Sequence, residues 1–509
     1  MDLPGDVLDG EANSKTNCSQ GKEAVRLPVF DLKNFDSYRE DNRLEVKKAK
    51  GGIPNSLWDT YSSMCNTFGG CIILGVDEKP VWHTTGLKDV SKLKSDFWNT
   101  INNNKKVSKN LLVEADVVDY EHNGDVILVI TVPRATREDK PVYINDDMFG
   151  GSFKRNWEGD YHCTKNEVLA MLRDQTDDTP DMKLLEDFDI EDFDKDSIKE
   201  YRRRYDIRHE NGAWTKLPDD EFLVRIGAAK KKNGKVYPTV AGLLMFGQEY
   251  LITSEFPEYF LDYREKLDPN IRWTDRVQSQ SGDWSGNVFD FFRTVYPKVT
   301  ADFKKPFMTE GVVRVEEGSR HLAVREAIAN CLVNADFFQS WSVVIERYPD
   351  RIELANPGVI RVGKEQMLSG GVSEPRNKNL LKMFNQIGIG EHAGSGVPEV
   401  FETWKNEGLK TPEVIEQFGP DKPDRTKIIL PLESDGKASE KALEKASDLK
   451  LRHQQVLDAM EEGKEYSVNE LAELVGLKGT RTRELLRELA EMGKIETVGS
   501  TKGKRYINK

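Results

Sequence analysis

Little in this chain of 509 residues points to a membrane, a secretory route or a covalent scaffold. Its apolar stretches are short, such as VILVITV at 126–132. A bilayer span needs about 20 apolar residues, so no membrane partner is expected. The opening MDLPGDVLDGEANSK lacks a basic stretch followed by an apolar one, so it reads as a polar tail rather than a secretory leader. Cysteine is scarce: Cys18, Cys65, Cys71, Cys163 and Cys331 are five, an odd count, and no pair has zinc-ligand spacing. A disulfide framework and a zinc site are therefore not expected, and reduced thiols in a cytoplasmic protein are. No repeat of solenoid period is present. The formal net charge of −13 argues against a chain that coats nucleic acid along its whole surface, yet leaves room for a local basic patch.

What the chain does contain is charge, 32% of residues, beside 38% hydrophobic residues, enough for several cores. Charge is unevenly spread. Residues 174–200 hold twelve acids against three lysines and include Thr179-Pro180, which marks a boundary with a short acidic helix. ESDGKASEKALEKASDL at 433–449 is small and polar with no apolar stripe, as a linker would be. Residues 478–509 carry nine Lys/Arg against four Glu, so an acidic chain ends in a basic module. The expected order is a disordered tail over 1–24, a first domain over 25–176, an acidic connector over 177–194, a second domain over 195–432, a linker over 433–449 and a third domain over 450–509. Apolar alternation and Pro/Gly punctuation predict a helix after Gly51-Gly52-Ile53-Pro54 and strands at 71–76 and 126–132. They also predict helices at 289–299 and 322–338 and strands at 343–347 and 351–355. The fold class is α+β and multidomain, with a mostly helical last domain.

In the first domain, REDNRLEVK places Glu40 and Glu45 five apart, and Glu45 shares a strand face with Lys47. Asp77 and Glu78 end an apolar strand that follows Gly69-Gly70. Carboxylates at strand ends can converge on a hard divalent cation that activates water against a phosphodiester, with a lysine neutralising the same charge. A solvated strand edge explains the same residues. EVKKAKGGIPNSLWDTYSSMCNTFGGCIILGVDE, followed by Gly86-Leu87, the VITVP strand and Lys140-Pro141-Val142-Tyr143, resembles the AlbA-like domain shared with the Schlafen family, from Leu44 to about Gln175. Some members of that family are metal-dependent endoribonucleases that cut tRNA. The resemblance implies a nucleic-acid-binding α+β domain in which Glu40, Glu45 and Glu78, with Asp77 as the alternative third acid, hold Mg²⁺ or Mn²⁺ and Lys47 assists. Many bacterial relatives are described only as DNA-binding.

In the second domain, REAIANCLVNADF puts Glu326, Asn330 and Asn334 on one helix face, while Ala327, Ile328, Cys331 and Leu332 pack the other. A carboxylate and two amides in line need water, metal or ligand if buried, and are unremarkable if exposed. RIELANPGVI at 351–360 is a strand entering Asn-Pro-Gly, and GEHAGSGV at 390–397 is a glycine-rich loop before an apolar helix. Such a loop frees backbone N–H groups for phosphate. With PTVAGLLMFG (238–247) and SGGVSEPRN (369–377), this ordered set is similar to the GHKL ATPase superfamily, in the variant found behind AlbA-like domains of bacterial regulators. The resemblance implies an α/β sandwich that binds ATP. Glu326 would be the general base and Asn330 would hold Mg²⁺. Asn334 would lie on the same face, and Asn356 would stand where most members have the aspartate that accepts from adenine. Gly358 would admit the base, Gly394, Ser395 and Gly396 would form the phosphate loop, and Arg376 or Lys378 would approach the phosphates.

In the third domain, Ser467 with Glu470 is a capping-box signature before a helix, and a further amphipathic helix precedes a probable hairpin. Helix, helix, recognition helix and wing is the winged helix-turn-helix order. Arg481, Arg483 and Arg487 on the third helix and Lys502, Lys504 and Arg505 on the wing suit base edges and phosphates, unless the module binds protein. The expected partners are nucleic acid (tRNA, other RNA or DNA) and, by the resemblance, further copies of the chain. The architecture implies either a nucleotide-gated nuclease, in a setting such as defence against phage, or an ATP-binding regulator that binds DNA without cutting it.

Overall fold

The computed structural model describes residues 43–509 except 80, 178, 304–307, 311–312, 316–317, 391–395, 419–423, 436–451, 462–463, 492–493, 499–504 and 509. The chain is a multidomain α+β protein, mixing helices and sheets throughout.

The N-terminal region runs β1 (Leu44–Lys47), α1 (Ser56–Asn66), β2 (Gly70–Leu74), β3 (Val76–Asp77), β4 (His83–Thr84), α2 (Val90–Ile101), β5 (Val117–His122), β6 (Asp125–Val132), β7 (Phe153–Asn156), β8 (Gly159–His162) and α3 (Lys165–Gln175). A four-stranded sheet has the order β1-β2-β6-β5. Period-two alternation gives it two apolar faces. Ile72, Leu74, Leu128 and Ile130 pack under α1 and α2, while Leu44, Val46, Ile73 and Val129 join Trp82 on the other side. β1 lies parallel to β2, pairing Glu45 with Ile72 and Lys47 with Leu74, which turns both charged side chains toward the α1 face. Gly70 permits this approach, because a Cβ there would lie 2.4 Å from the Arg43 carbonyl oxygen.

The middle region adds α4 (Lys195–Arg208), α5 (Asp219–Ile226), β9 (Ala229–Lys232), β10 (Lys235–Pro238), α6 (Val240–Phe246), α7 (Glu249–Glu255), β11 (Leu261–Glu265), β12 (Asp275–Gln278), α8 (Val288–Val299), β13 (Met308–Glu310), β14 (Val313–Val315) and α9 (Ser319–Val333). It continues with β15 (Val343–Arg347), β16 (Arg351–Pro357), α10 (Lys364–Ser369), α11 (Lys378–Gln386), α12 (Gly396–Asn406), β17 (Glu413–Gln417) and β18 (Arg425–Pro431). Its six-stranded sheet has the order β12-β11-β15-β16-β18-β17 and is antiparallel except for β11 with β15. Tyr263, Ile345, Leu354 and Leu430 from one face share a core with Phe292 of α8, Ile328 of α9 and Trp404 of α12. The acidic stretch contributes to this core through Leu185 and Phe193. It forms two short 3₁₀ turns, Pro180–Met182 and Ile190–Asp192, where the composition suggested a short acidic helix. Asp181 is buried there and accepts from the Leu380 N–H at 3.0 Å, and burial raises its pKa.

The last region has a helix over 452–458, β19 (Glu465–Tyr466), α13 (Val468–Val475), α14 (Gly479–Glu491), β20 (Ile495–Val498) and β21 (Arg505–Asn508), with sheet order β19-β21-β20. Leu471, Leu485, Leu486, Leu489 and Tyr506 form its core. Ser467 and Glu470 make the reciprocal capping box. Among the described residues no helix is long and apolar enough to cross a membrane.

Candidate functional site

Three elements of the N-terminal region converge on Glu45. The hairpin β7–β8 sets Arg155 opposite Asp160, and it packs on α1. The Arg155 guanidinium is fully buried and bridges two carboxylates, Glu45 Oε2 at 2.7 Å and Asp160 Oδ1 at 2.9 Å. It also donates to the Leu44 carbonyl at 3.2 Å, tying the hairpin to the first strand. Lys47 Nζ donates to Glu45 Oε1 at 2.8 Å. From α1, Thr60 donates to Asp160 Oδ2 at 2.7 Å and Ser63 donates to Asp160 Oδ1. Asp59, half-buried on the same helix, has its pKa raised by burial and then by the Asp160 charge, against lowering by His162 and Lys47. The cluster thus combines three carboxylates, Asp59 with its pKa raised, with the Lys47 and Arg155 cations. That set suits holding a phosphodiester and moving a proton beside it.

A second polar assembly lies in the middle region. Glu326, Asn330 and Asn334 fall in line along α9 and its C-cap. Asn330 Nδ2 donates to Glu326 Oε1 at 3.0 Å, and Asn334 Nδ2 donates to the Asn330 carbonyl at 3.0 Å. The helix ends at Val333 with Asn334 as C-cap, five residues before the predicted end. Asn356, buried near the end of β16, donates to the Pro357 carbonyl at 3.1 Å and to the Asn334 carbonyl at 3.4 Å. Gly358 follows with φ +95°, and a Cβ there would meet Arg376 Nη1 at 2.3 Å. Gly396 opens α12 directly against α9, since a Cβ there would lie 2.2 Å from Glu326 Oε1. Glu326, Asn330, Asn334, Asn356 and Gly396 line one cleft. Gly394 and Ser395 lie outside the described residues.

Arg376 is already engaged. It donates to Asp174 Oδ2 at 2.8 Å, to the Asn334 carbonyl at 3.2 Å and to the Val359 carbonyl at 3.1 Å. Asp174 belongs to α3, so this pair joins the two regions. Arg137 reaches Glu374 at 3.0 Å, and Arg134 grips Glu416 through two nitrogens at 2.6 and 3.0 Å. Burial works to raise the Glu416 pKa, but Arg134 outweighs it and holds the carboxyl low. Between these pairs lies a small cavity lined by Lys140, Lys154, Glu167 and Asp424. Burial pulls the Lys140 amine down to about 7, and burial with the Glu167 charge pushes Asp424 up to about 7.

Comparison with known proteins places the Glu45 cluster in one matched module and part of the second assembly in another. Residues 40–164 match the family described as "Schlafen, AlbA_2". The chain carries an AlbA_2 domain. Residues 341–419 match "Putative ATP-dependent DNA helicase recG C-terminal", and residues 169–262 match a domain of unknown function (DUF8451). No curated protein matches the chain. Among solved structures, the DIP2311 protein from Corynebacterium diphtheriae is 18% identical, with TM-score 0.40 over 94% of this chain and 96% of that one. The N-terminal domain of a RecG-related protein from Nitrosomonas europaea is 23% identical, with TM-score 0.20 over 26% of this chain and 90% of that one.

The AlbA_2 domain contains Glu40, Glu45, Lys47, Asp77 and Glu78, but the structure brings only Glu45 and Lys47 together. Glu40 lies outside the described residues. Asp77 is held by Lys48 at 2.7 Å, a contact that lowers its pKa, and Glu78 sits 3.6 Å from Lys79. Neither bonds to Glu45 or Lys47. Both Glu45 oxygens face cations, and among the described residues no three His, Cys, Asp or Glu side chains are placed to hold an ion. The described members of the expected metal set therefore do not make a divalent-cation site by themselves. The partners that sequence reasoning missed are Asp59, Arg155, Asp160 and His162. The available signal was a polar helix stripe of Asp59, Ser62 and Ser63, and Arg155 and Asp160 spaced to face each other across a turn at Trp157-Glu158.

In the RecG-like match lie Asn356, Gly358, Arg376 and Gly396, while Glu326, Asn330 and Asn334 precede it. Lys378, offered near phosphates, donates instead to the Asp177 carbonyl at 2.7 Å. In the last region Arg481, Arg483 and Arg487 are exposed on α14, while Leu485, Leu486 and Leu489 are buried. Arg481 pairs with Glu484, and Arg505 on β21 lies 3.6 Å from Glu470. Lys502 and Lys504 lie outside the described residues.

Proposed function

We propose that this chain is a nucleotide-regulated nucleic-acid-binding protein whose AlbA_2 domain cuts a phosphodiester bond of RNA or DNA. The observation that carries this reading is the convergence of Glu45, Lys47, Asp59, Arg155 and Asp160 from three elements of one AlbA_2 domain. Lys47 would place positive charge beside a phosphate, and the buried Arg155 holds Glu45 and Asp160 in position around it. Asp59, with its raised pKa, is suited to hand a proton to a leaving oxygen, and Glu45 to orient the attacking group. Mg²⁺ or Mn²⁺ would supply charge neutralisation when bound, but Glu45, Asp77 and Asp160 are already committed to cations of the protein.

In the middle region the reading places ATP. Glu326 and Asn330 stand side by side and offer oxygen ligands that fit a hard cation such as Mg²⁺. Glu326 would act as general base, Asn356 and Gly358 would meet the adenine, and Gly396 with its loop would meet the phosphates. Regulation follows from Arg376: a phosphate that recruits its guanidinium competes with Asp174 of the N-terminal region. Binding at one site would then shift the other by the same factor. The last region would act as a winged helix, with Arg481, Arg483, Arg487 and Arg505 on nucleic acid. Assembly into a homo-oligomer, a cytoplasmic location and a role in phage defence belong to this reading; sedimentation tests the first.

The deciding experiment incubates the pure chain with labelled tRNA, single-stranded DNA and duplex DNA, with Mg²⁺ or Mn²⁺, with and without ATP, beside Glu45→Gln. Cutting that disappears in Glu45→Gln while binding persists is expected; equal cutting by the variant removes the site. Asn330→Ala is expected to weaken Mg-ATP binding in calorimetry, and unchanged affinity rejects its metal role. A second reading, a DNA-binding regulator that does not cut, is favoured by the occupation of both Glu45 oxygens by Arg155 and Lys47. It predicts salt-sensitive duplex binding and no cleavage under any condition.

A further inference from the structure

The six-stranded sheet of the middle region buries one face in the core. Its other face, set by the same strand register, is charged from edge to edge. Arg264 lies beside Arg276, Ala355 beside Lys427, and Pro357 beside Arg425. The charges are layered. Asp262, Glu346 and Glu353 lie low, at 0–16% exposure, and each receives two cations: Arg264 and Arg276, Arg264 and Lys266, Arg351 and Lys427. These cations stand above them at 26–35% exposure. Arg425 makes a sixth cation, and Glu413 on the edge strand is the fourth carboxylate that the register puts on this face, so cations outnumber acids on a chain of net charge −13. Asp350, in the β15–β16 turn, pairs with Arg351.

Aromatic rings are set among these cations. Arg425 lies over Trp341 at 4.9 Å, Arg276 and Arg272 over Trp273 at 4.2 Å, and Arg351 over Tyr348 at 3.9 Å. A groove of about 340 Å³ runs between Trp341, Arg425 and Lys427, with Ser340, Ser342 and Gln417 on its walls. Arg425, which lines it, has a buried Nε without a hydrogen-bond partner.

We propose that this sheet face binds single-stranded RNA, an inference that rests on the reading of the chain as nucleic-acid-binding and adds to it a surface outside the AlbA_2 domain and the basic tail. Half-buried cations standing over more deeply buried acids present positive charge to a phosphate backbone. Rings interleaved with guanidinium groups stack bases, and only an unpaired strand offers its bases for stacking. The serine hydroxyls and the Gln417 amide on the groove wall are the partners a ribose 2′-OH uses, which selects RNA over DNA.

The test measures fluorescence anisotropy of a labelled twelve-nucleotide oligouridylate on the full chain across a salt series, beside a DNA strand of matching sequence and a duplex. The variants are Arg264→Gln with Lys427→Gln, and separately Trp341→Ala. The charge variants keep every carboxylate paired: Asp262 keeps Arg276, Glu346 keeps Lys266, and Glu353 keeps Arg351. An unchanged melting curve verifies folding. Expected are an affinity loss of about tenfold for each variant and, for the charge variant, a salt slope shallower by about 1.4. Unchanged affinity and slope in both variants, with the parent chain still binding RNA, overturns this surface and leaves the broader reading standing. Equal affinity for the DNA strand overturns the assignment to RNA. A parent chain that binds no nucleic acid overturns the broader reading and this one with it.

Discussion

The cluster around Glu45 and the junction around Arg134, Arg137 and Arg376 use the same chemistry, buried arginines on carboxylates, to different ends. Arg155 finds Glu45, Asp160 and the Leu44 carbonyl within the N-terminal region. Arg134 and Arg376 find Glu416 and Asp174 across regions, 282 and 202 residues away in sequence. The first arrangement holds one domain's elements in register and leaves Lys47 and Asp59 partly reachable. The second stitches two bodies together and shares a residue, Arg376, with the glycine turn of the cleft. A buried pair gives little net stability, because desolvation cancels most of the attraction. Its value is orientation, so the comparison separates a pair that shapes a site from pairs that decide how two regions meet.

The comparison breaks first at Arg155. Arg155→Met leaves Glu45 and Asp160 without their shared cation and should destabilise the N-terminal region by roughly 3–5 kcal/mol in urea unfolding. Arg134→Met strands Glu416, but the junction can part and let water in, so the loss should be nearer about 2 kcal/mol. Calorimetry should then resolve the N-terminal and middle regions as separate transitions, against a joint one expected in the parent chain. If Arg134→Met costs as much as Arg155→Met with one transition kept, the junction is as integral as the cluster and the distinction fails.

Acidity sharpens the same contrast. Asp424 has a folded pKa of about 7 against 3.8 for a free carboxyl. Its stabilising contribution is fully present below 3.8 and is lost as pH rises through about 7. Lys140, lowered to about 7 from 10.5, acts in reverse: its contribution is present above 10.5 and lost as pH falls through about 7. Between pH 5 and 8 the Asp424 limb falls, so Asp424→Asn should gain more thermal stability over the parent chain at pH 8 than at pH 5. Parallel melting profiles would remove Asp424 from the account. The smallest effect is expected where neither assembly reaches: Ser467→Ala should cost about 1 kcal/mol in the last region, through loss of one cap.

Local elements were legible because period and punctuation are local. The expected strand at 343–347 is β15, that at 126–132 is β6 with one more residue, and the helix at 289–299 is α8. The helix expected over 322–338 starts and stops earlier, because Asn334 turns its amide back onto the Asn330 carbonyl and ends the run. Of the site, Glu45 with Lys47 and Glu326 with Asn330 could be paired from spacing, since strand and helix geometry fix such neighbours. Asp160 and Arg155 required knowing where the hairpin turns. Arg376 with Asp174 required a contact that no periodicity encodes, and one arginine in the sequence looks like another until the fold selects its acid. Lys140 was visible inside Lys140-Pro141-Val142-Tyr143 but gave no sign that its amine would be enclosed.

The long span between Arg134 and Glu416 also sets a schedule. At about 5–20 residues per second, a ribosome that has finished Arg134 needs roughly 14–56 s more to reach Glu416. For that interval the newborn N-terminal region must hold its shape with Arg134 in water, awaiting a carboxylate not yet made, while Arg137 already has Glu138 and Asp177 within reach. It is expected to fold as a more cationic body than it later becomes, and to surrender that charge when the second half of the chain arrives.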